Sequence, residues 1–256
     1  MDVVAAIEDD LFAYALMLGD SALVLGHRLS EWSGFGPTLE EDIALSNMAL
    51  DLLGQARLCL DYAGKVEGRG RDEDALAFMR DDTDYRNLLI CEQPRGDFAV
   101  TMVRQLFYAG FMQPCFTSLM ASRDSTLAAI AAKAEKEMAY HLRHAGEWVI
   151  RLGDGTAESH VRTQRALDEM AIYVAEFFTV SAVERRLVDA GIAADPLSLR
   201  RPFEDSITPI LKEAMLVVPS FAQGQHGGKE GRHGEHLSRL LGEMQVLHRA
   251  HPGATW

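Results

Sequence analysis

The fold is decided by residues 40–57, EEDIALSNMALDLLGQAR, in which apolar residues recur every three or four positions. That spacing is typical of an α-helix. Thr38 precedes the stretch as an N-cap, and Glu41 stands three residues later to complete a capping box. The helix is expected to end at Tyr62 or Lys65, where a group of glycines begins. Because few of its positions are polar, most of its sides must be covered by a bundle or by a partner protein.

The rest of the chain shows the same helical spacing, and no stretch alternates in the manner of a β-strand. Asp97 and either Asp124 or Ser125 are expected to cap the third and fourth long helices, and Pro114 to kink or break the third. Besides the second helix, the predicted long helices span residues 9–32, 98–122, 126–152 and 157–189, the last bent near 179–181. Shorter helices are predicted over 72–78, 84–91 and 234–249, with others starting at Asp195-Pro196 and Arg201-Pro202 and an end near Val217.

Long helices joined by short capped loops indicate an all-α protein. We predict a ferritin-like four-helix bundle with additional C-terminal helices. The long connection between the second and third helices leaves room for a crossover, as in ferritin-like bundles. One domain is expected to cover residues 1–256, with the core bundle at about 9–190 and a C-terminal helical extension at about 195–256.

The composition is that of an acidic globular protein, with a formal net charge of −13 and a pI of about 5.1. Such a surface does not favour nucleic acid or an anionic membrane as a partner. No run approaches the length of a membrane span, and the acidic N-terminus does not read as a signal peptide. We therefore expect a cytoplasmic protein whose three cysteines are reduced and buried.

A di-iron bundle of the ferritin type needs a Glu from each of two helices and Glu-x-x-His from each of two others. The predicted third helix has no carboxylate between Asp97 and Asp124, and three residues after Glu137 stands Tyr140. The set is incomplete, so we expect no bound metal and no catalytic residue in this chain. The candidates for a degenerate site are Asp20, Asn47, Asp51, Glu137, His141 and His144.

Two interpretations of these polar residues remain open. The fourth helix presents Lys133, Glu137, His141 and His144 in one stripe, which either faces the Asn47–Asp51–Gln55 stripe of the second helix or is simply solvated. Alternatively, Glu137, His141 and His144 converge with Asp51 on a single metal, which would make the protein an autonomous ferritin-like oxidase. The literal Glu-x-x-His at 230–233 lies in a glycine-rich stretch that is a poor metal platform.

Several longer segments together resemble the PaaC-type structural subunits of phenylacetyl-CoA oxygenase, the phenylacetyl-CoA 1,2-epoxidase complex. They include LGDSALVLGHRLSEW at 18–32, the stretch at 40–57 quoted above, KE and YHLR at 136–143, and RLGDGT at 151–156. The C-terminus adds GGK at 227–229, GEHL at 234–237 and a final Trp256. The similarity extends over nearly the whole chain, so it is more specific than any single short motif.

The resemblance implies a function in aerobic phenylacetate breakdown. The complex uses molecular oxygen and reducing equivalents to form a ring 1,2-epoxide on phenylacetyl-CoA. The di-iron centre belongs to a paralogous ferritin-like partner, and phenylacetyl-CoA is bound mainly by that partner. This chain is structural and holds no cofactor. A reductase subunit and a small bridging subunit complete the complex. We expect the first two long helices to form the interface with the partner, and a homodimer of the isolated chain remains open.

Two further alternatives are kept beside this interpretation. Lys229, Arg232 and His233 cluster near the C-terminus, together with His236, and are a possible contact for the CoA phosphates or for a partner subunit. The chain could also be a helical scaffold that belongs to a different pathway.

Overall fold

The computed structural model describes residues 3–254, with side chains from residue 6 onward, and this part of the chain contains helices and no strand. The prediction of an all-α, ferritin-like bundle is confirmed. The α-helices are α1 (Val3–Ser30), α2 (Leu39–Glu67), α3 (Glu73–Phe78), α4 (Leu89–Glu92), α5 (Phe98–Leu119), α6 (Ser125–Gly153), α7 (Ala157–Ala171), α8 (Ala182–Asp189), α9 (Arg200–Glu213), α10 (Glu235–Met244) and α11 (Val246–Ala250). Short 3₁₀ turns occupy Asp82–Asp84, Val174–Phe178 and Gly228–Glu230. Within residues 3–254 no helix is both long and apolar enough to cross a membrane.

The bundle is built from two closely packed pairs, α1 with α2 and α5 with α6. Glycines let the first pair approach closely: a Cβ at Gly19 would lie 3.0 Å from Leu60 Cδ2, and one at Gly26 would lie 3.3 Å from the Ala49 carbonyl oxygen. The contact with α2 therefore explains why α1 continues through two glycines, which are otherwise unfavourable inside a helix.

The connection between α2 and α5 crosses the length of the bundle along α1. Contacts follow in order along both segments: the Asp20 carboxylate pairs with Arg80, Ser21 Oγ accepts from Leu88 N at 3.0 Å, and Arg28 Nη2 donates to the Glu92 carbonyl oxygen at 2.8 Å. The crossover predicted from the length of this segment is therefore present, and it brings α2 and α5 into the same direction.

The N-caps follow the predictions, but the predicted capping box at Thr38 is not completed, because the Glu41 carboxylate pairs with His144 instead. Thr38, Asp97 and Asp124 accept hydrogen bonds from the backbone N–H groups of the first turns of α2, α5 and α6. The second helix runs two residues beyond the later predicted end, because Gly68 adopts φ 67° and closes it as a left-handed C-cap. The third continues through Pro114 without the predicted break.

The prediction of one long helix over 157–189 is wrong. Helix α7 ends at Ala171, a 3₁₀ turn follows, and α8 starts afresh at Ala182 behind a complete capping box between Ser181 and Glu184. The 3₁₀ turn buries Phe177 and Phe178 against aromatic side chains of α5 and α9. Aromatic burial and a new N-cap therefore override the helical period of this segment.

Three other predicted segments are also corrected. Residues 85–88 are extended rather than helical, since the Arg86 and Leu88 N–H groups bond to side chains of α1. The last helix divides at Gln245, whose amide turns inward to the Ala77 and Arg80 carbonyl oxygens. Helix α9 ends at Glu213, before the predicted end near Val217, because Met215 is left-handed at φ 58°.

Candidate functional site

His141 is the buried centre of the contact between α2 and α6. Its Nε2 lies 3.2 Å from Asp51 Oδ2 on α2, and its Nδ1 lies 2.9 Å from Gln105 Nε2 on α5. An amide nitrogen can only donate, so Nδ1 accepts and Nε2–H donates to the carboxylate. One imidazole therefore joins three helices of the bundle through a defined tautomer.

A second contact lies one helical turn away on both helices. The buried Gln55 donates from Nε2 to Glu137 Oε2 at 2.8 Å, and Lys133 Nζ lies 3.6 Å from Glu137 Oε1. Gln55 stands four residues after Asp51, and Glu137 four residues before His141. The antiparallel arrangement of α2 and α6 thus brings the two stripes together.

A third contact of the same kind joins the start of α2 to α6. His144 Nε2 lies 3.0 Å from Glu41 Oε2, so the Glu41 carboxylate contacts another helix, while the Glu41 N–H donates to Thr38 Oγ1. Asn47 lies on the exposed side of α2. Asp20 is buried elsewhere, against the crossover. Of the six candidates for a degenerate site, the structure therefore pairs only Asp51 with His141. Glu137 and His144 lie along the same helix contact but pair with Gln55 and Glu41, and the other two candidates lie apart.

These side chains do not fit a di-iron centre. Within residues 3–254, no three His, Cys, Asp or Glu side chains come together in a group that could hold a metal ion. The contribution of α5 is the Gln105 amide, where an anionic carboxylate would be needed to balance two cations. Both nitrogens of His141 are already hydrogen-bonded. What the arrangement does is join packed helices through side-chain hydrogen bonds, while Gln55 Oε1, Gln105 Oε1 and His144 Nδ1 are buried without a hydrogen-bond partner among the described residues.

Gln105 is the residue of this site that sequence reasoning missed. A di-iron ligand set predicts carboxylates on the third helix, and a glutamine does not fit that pattern. The available signal was the Arg104-Gln105 pair, which is strongly polar inside an otherwise apolar helix. Both side chains are fully buried. Arg104 donates to the carbonyl oxygens of Gln93 and Pro94, and burial lowers its pKa to about 10.

The predicted basic cluster does not form a common surface. Lys229 is buried, and its Nζ lies 2.8 Å from Glu184 Oε1 and 2.9 Å from the Thr179 carbonyl oxygen. Arg232 is exposed and pairs with Glu230. His233 is buried against Glu92. Of the three, only the Arg232 side chain is available to a phosphate group of CoA without rearrangement.

Glu176 anchors the C-terminal loop, in a way that the sequence did not reveal. Its Oε1 accepts from the N–H groups of Gly227 and Gly228 at 2.9 and 2.7 Å, and its Oε2 accepts from Leu89 N–H at 2.7 Å. Burial raises the pKa of Glu176, and the three backbone hydrogen bonds oppose that rise. A Cβ at Gly228 would lie 2.2 Å from the Asn87 carbonyl oxygen, so a side chain there would disrupt this contact.

His233 holds the same loop to the crossover. Its Nδ1 lies 2.8 Å from Glu92 Oε2 and its Nε2 lies 3.0 Å from the Tyr85 carbonyl oxygen. A carbonyl oxygen and a carboxylate are both acceptors, so the geometry favours the doubly protonated imidazolium. Burial acts to lower the pKa of His233, but the hydrogen bonds to Glu92 and Tyr85 raise it above its ordinary value.

We expect the His233 contact to make stability depend on pH. A histidine whose pKa is raised on folding contributes fully below its unfolded value of about 6.5 and loses that contribution as pH rises through the folded value. The difference in unfolding free energy between wild type and His233→Gln should therefore be largest at about pH 6 and below, and shrink as the pH is raised above the ordinary pKa of histidine. Urea denaturation across this range measures it, and a difference independent of pH would contradict the charged form.

Comparison with known proteins adds two findings. Residues 2–256 match the family model described as phenylacetic acid catabolic protein. The chain is also 48% identical over 248 residues to the C-type subunit of the 1,2-phenylacetyl-CoA epoxidase of Escherichia coli (strain K12), a match that covers 97% of this chain and 100% of the relative. Both matches extend over essentially the whole bundle and its C-terminal helices. The chain belongs to the phenylacetic acid catabolic protein family.

Proposed function

We propose that this chain is the non-catalytic structural subunit of a phenylacetyl-CoA 1,2-epoxidase complex. Support for membership of such a complex is the 48% identity to the Escherichia coli epoxidase subunit along the full length of that relative. The resemblance of the segments at 18–32 and 40–57 to PaaC-type subunits also supports this proposal. The proposed complex serves aerobic phenylacetate breakdown in the cytoplasm.

The observation that supports the non-catalytic role is the kind of side chains that lie between the facing helices of the bundle. Ferritin-like enzymes build their metal sites between facing helices. Here the facing side chains of α2, α5 and α6 are occupied by the Asp51–His141–Gln105 and Gln55–Glu137 hydrogen bonds. These bonds fix the relative positions of the helices, which suits a scaffold.

A scaffold of this kind acts on its partner by packing. A catalytic bundle must hold its ligands within a fraction of an ångström of the productive geometry, and a rigid neighbour limits their movement. The proposed partner is a paralogous subunit that holds the di-iron centre and makes most of the contacts with bound phenylacetyl-CoA. A reductase subunit and a small bridging subunit are the remaining proposed components.

Metal content and epoxidase activity of the purified chain test the proposal, first alone and then after co-expression with the paralogous di-iron subunit. We expect less than stoichiometric iron and no activity alone, and a stable, iron-containing, active complex on co-expression. Lack of any complex on co-expression would overturn the pairing.

Variants of α6 distinguish this role from that of an autonomous oxidase. In a scaffold, Glu137→Ala and His141→Ala should lower stability without changing the metal content of the lone chain, and the exposed Glu147→Ala should change neither. Stoichiometric iron in the lone chain that disappears in Glu137→Ala or His141→Ala, but not in Glu147→Ala, would instead make the protein a metal-dependent oxidase.

A further inference from the structure

Arg104 differs from the other buried cations of this fold in its partners. Four arginine and lysine side chains are buried within residues 6–254, and three of them form ion pairs: Arg28 with Glu31, Arg80 with Asp20, and Lys229 with Glu184. Arg104 instead donates from Nη1 to the backbone carbonyl oxygens of Gln93 and Pro94, at 2.7 and 3.0 Å. Among the described residues, no carboxylate accepts a hydrogen bond from this guanidinium.

The other two nitrogens of Arg104 form one edge of the guanidinium. Both Nε and Nη2 are buried, and neither has a hydrogen-bond acceptor among the described residues. The Nε–H bond and one Nη2–H bond point in the same direction, and arginine uses such a fork to bind an anion through two hydrogen bonds. We call Nε and Nη2 the Arg104 fork. Buried donors of this kind are costly unless an acceptor reaches them.

The charges around the Arg104 fork favour an anion as that acceptor. Burial, together with the positive charge of Arg28, lowers the pKa of Arg104 to about 10, so the guanidinium is still charged at neutral pH. Glu31 is the carboxylate that acts on both arginines. It lies 2.6 Å from Arg28, and its side chain is 37% exposed. Two buried guanidinium groups therefore depend on one carboxylate, which leaves a surplus of positive charge.

Other candidates for the acceptor do not fit. Burial raises the pKa of the Cys91 thiol well above its ordinary value, and Arg104 opposes that rise without reversing it. The thiol is therefore neutral and only a weak acceptor. Arg104 is fully buried, so neither a side chain of another protein nor a phosphate group of CoA reaches the fork from outside. The acceptor must be small enough to be enclosed by the fold.

We propose that the Arg104 fork binds a chloride ion, enclosed between α5 and the end of the crossover. A monoatomic anion accepts both N–H groups at once, and its single charge matches the single guanidinium. A buried carboxylate or phosphate would bring further oxygens, each of which would need a donor of its own. This site belongs to the interior of the chain and does not depend on the proposed function.

The ion would complete the contact between α5 and the crossover. Nη1 already joins α5 to the segment that follows α4, through the Gln93 and Pro94 carbonyl oxygens. With chloride in the fork, four of the five N–H groups of the guanidinium are hydrogen-bonded. Since the fork is enclosed only in the folded chain, chloride binds the native state and stabilises it by mass action.

Urea unfolding of the full-length chain tests this coupling, with gluconate replaced stepwise by chloride at constant ionic strength. Gluconate is too large for an enclosed site. Once chloride exceeds its dissociation constant, a tenfold increase should raise the folding equilibrium constant about tenfold. The dependence should disappear in Arg104→Met, which removes the fork. It should persist in the control Arg201→Met, because the Arg201 side chain is 90% exposed.

A second measurement requires no variant. Crystals of the wild-type chain grown in sodium bromide should give an anomalous difference peak within hydrogen-bonding distance of both Nε and Nη2 of Arg104. A water molecule in the fork would give no such peak and would overturn the proposal. Unfolding that is independent of chloride, or a chloride dependence that persists in Arg104→Met, would also overturn it. If Arg104→Met does not fold, the bromide peak and the wild-type chloride dependence decide.

Discussion

Replacing Asp20 with Ala is expected to lower the free energy of unfolding by about 3–5 kcal/mol, the loss typical of breaking one side of a buried ion pair. Asp20 is fully buried; its carboxylate receives both terminal nitrogens of Arg80 and the Arg86 N–H at 2.9 Å. Burial acts to lower the pKa of Arg80, and the Asp20 carboxylate raises it above its ordinary value. Without Asp20, a guanidinium that stays charged is left buried without its carboxylate.

Urea denaturation measures this loss, and an exposed pair on α2 supplies the control. Lys65 Nζ lies 2.7 Å from Asp61 Oδ2, and the two side chains are 70% and 42% exposed, so Asp61→Ala should cost less than about 1 kcal/mol. The double variant Asp20→Ala/Arg80→Met should recover part of the loss, since no charge remains buried. An Asp20→Ala loss no larger than that of Asp61→Ala would contradict the role given to this pair.

Glu176→Ala is the second substitution with a large expected effect, about 3 kcal/mol or more. It leaves three backbone N–H groups without an acceptor, those of Leu89, Gly227 and Gly228. Each buried donor left unsatisfied costs about 1–3 kcal/mol. The C-terminal loop would lose its attachment to the crossover, so the effect should be concentrated there.

Hydrogen exchange gives this prediction a local readout. The amides of Leu89, Gly227 and Gly228 should exchange faster in Glu176→Ala, while those in the middle of α5 and α6 change only through the global stability. Glu158→Ala is the control, because Glu158 is an exposed glutamate on α7. A small loss of stability with unchanged exchange at the three amides would show that Glu176 does not anchor the loop.

The long helices could be predicted from the sequence because their signals are local. Each cap at Thr38, Asp97 and Asp124 bonds within its own first turn, and the apolar period of each helix is continuous. The segment at 157–189 could not be predicted in the same way. Its break depends on where Phe177 and Phe178 find aromatic neighbours, and those neighbours belong to α5 and α9.

The candidate site was predictable only in part, for the same reason. Spacing alone places Glu137 and His141 on one stripe of α6, and Asp51 and Gln55 on one stripe of α2. It does not give the register between helices, which decides that His141 meets both Asp51 and Gln105. An isolated acid such as Asp20 is equally uninformative, since its partner Arg80 is sixty residues away.

Lys229 and His233 show most directly why buried ion pairs could not be predicted from the sequence. Basic residues beside glycines have the composition of a solvated loop, yet both are buried in ion pairs with Glu184 and Glu92. The acids that pair with them lie 45 and 141 residues earlier in the chain. Only the folded chain brings such pairs together, so a phosphate-binding surface could not be distinguished from an internal contact by sequence.

The attachment of the C-terminal loop to the crossover also determines the order in which contacts can form while the chain is being synthesised. Helices α1 and α2 are neighbours in the chain and can pair as soon as both are made. Glu92 cannot pair with His233 until the chain has grown by another 141 residues. At about 5–20 residues per second, this synthesis takes roughly 7–28 s. Until then the crossover lacks its contact with the C-terminal loop, so a segment made much later in synthesis completes the packing of the crossover.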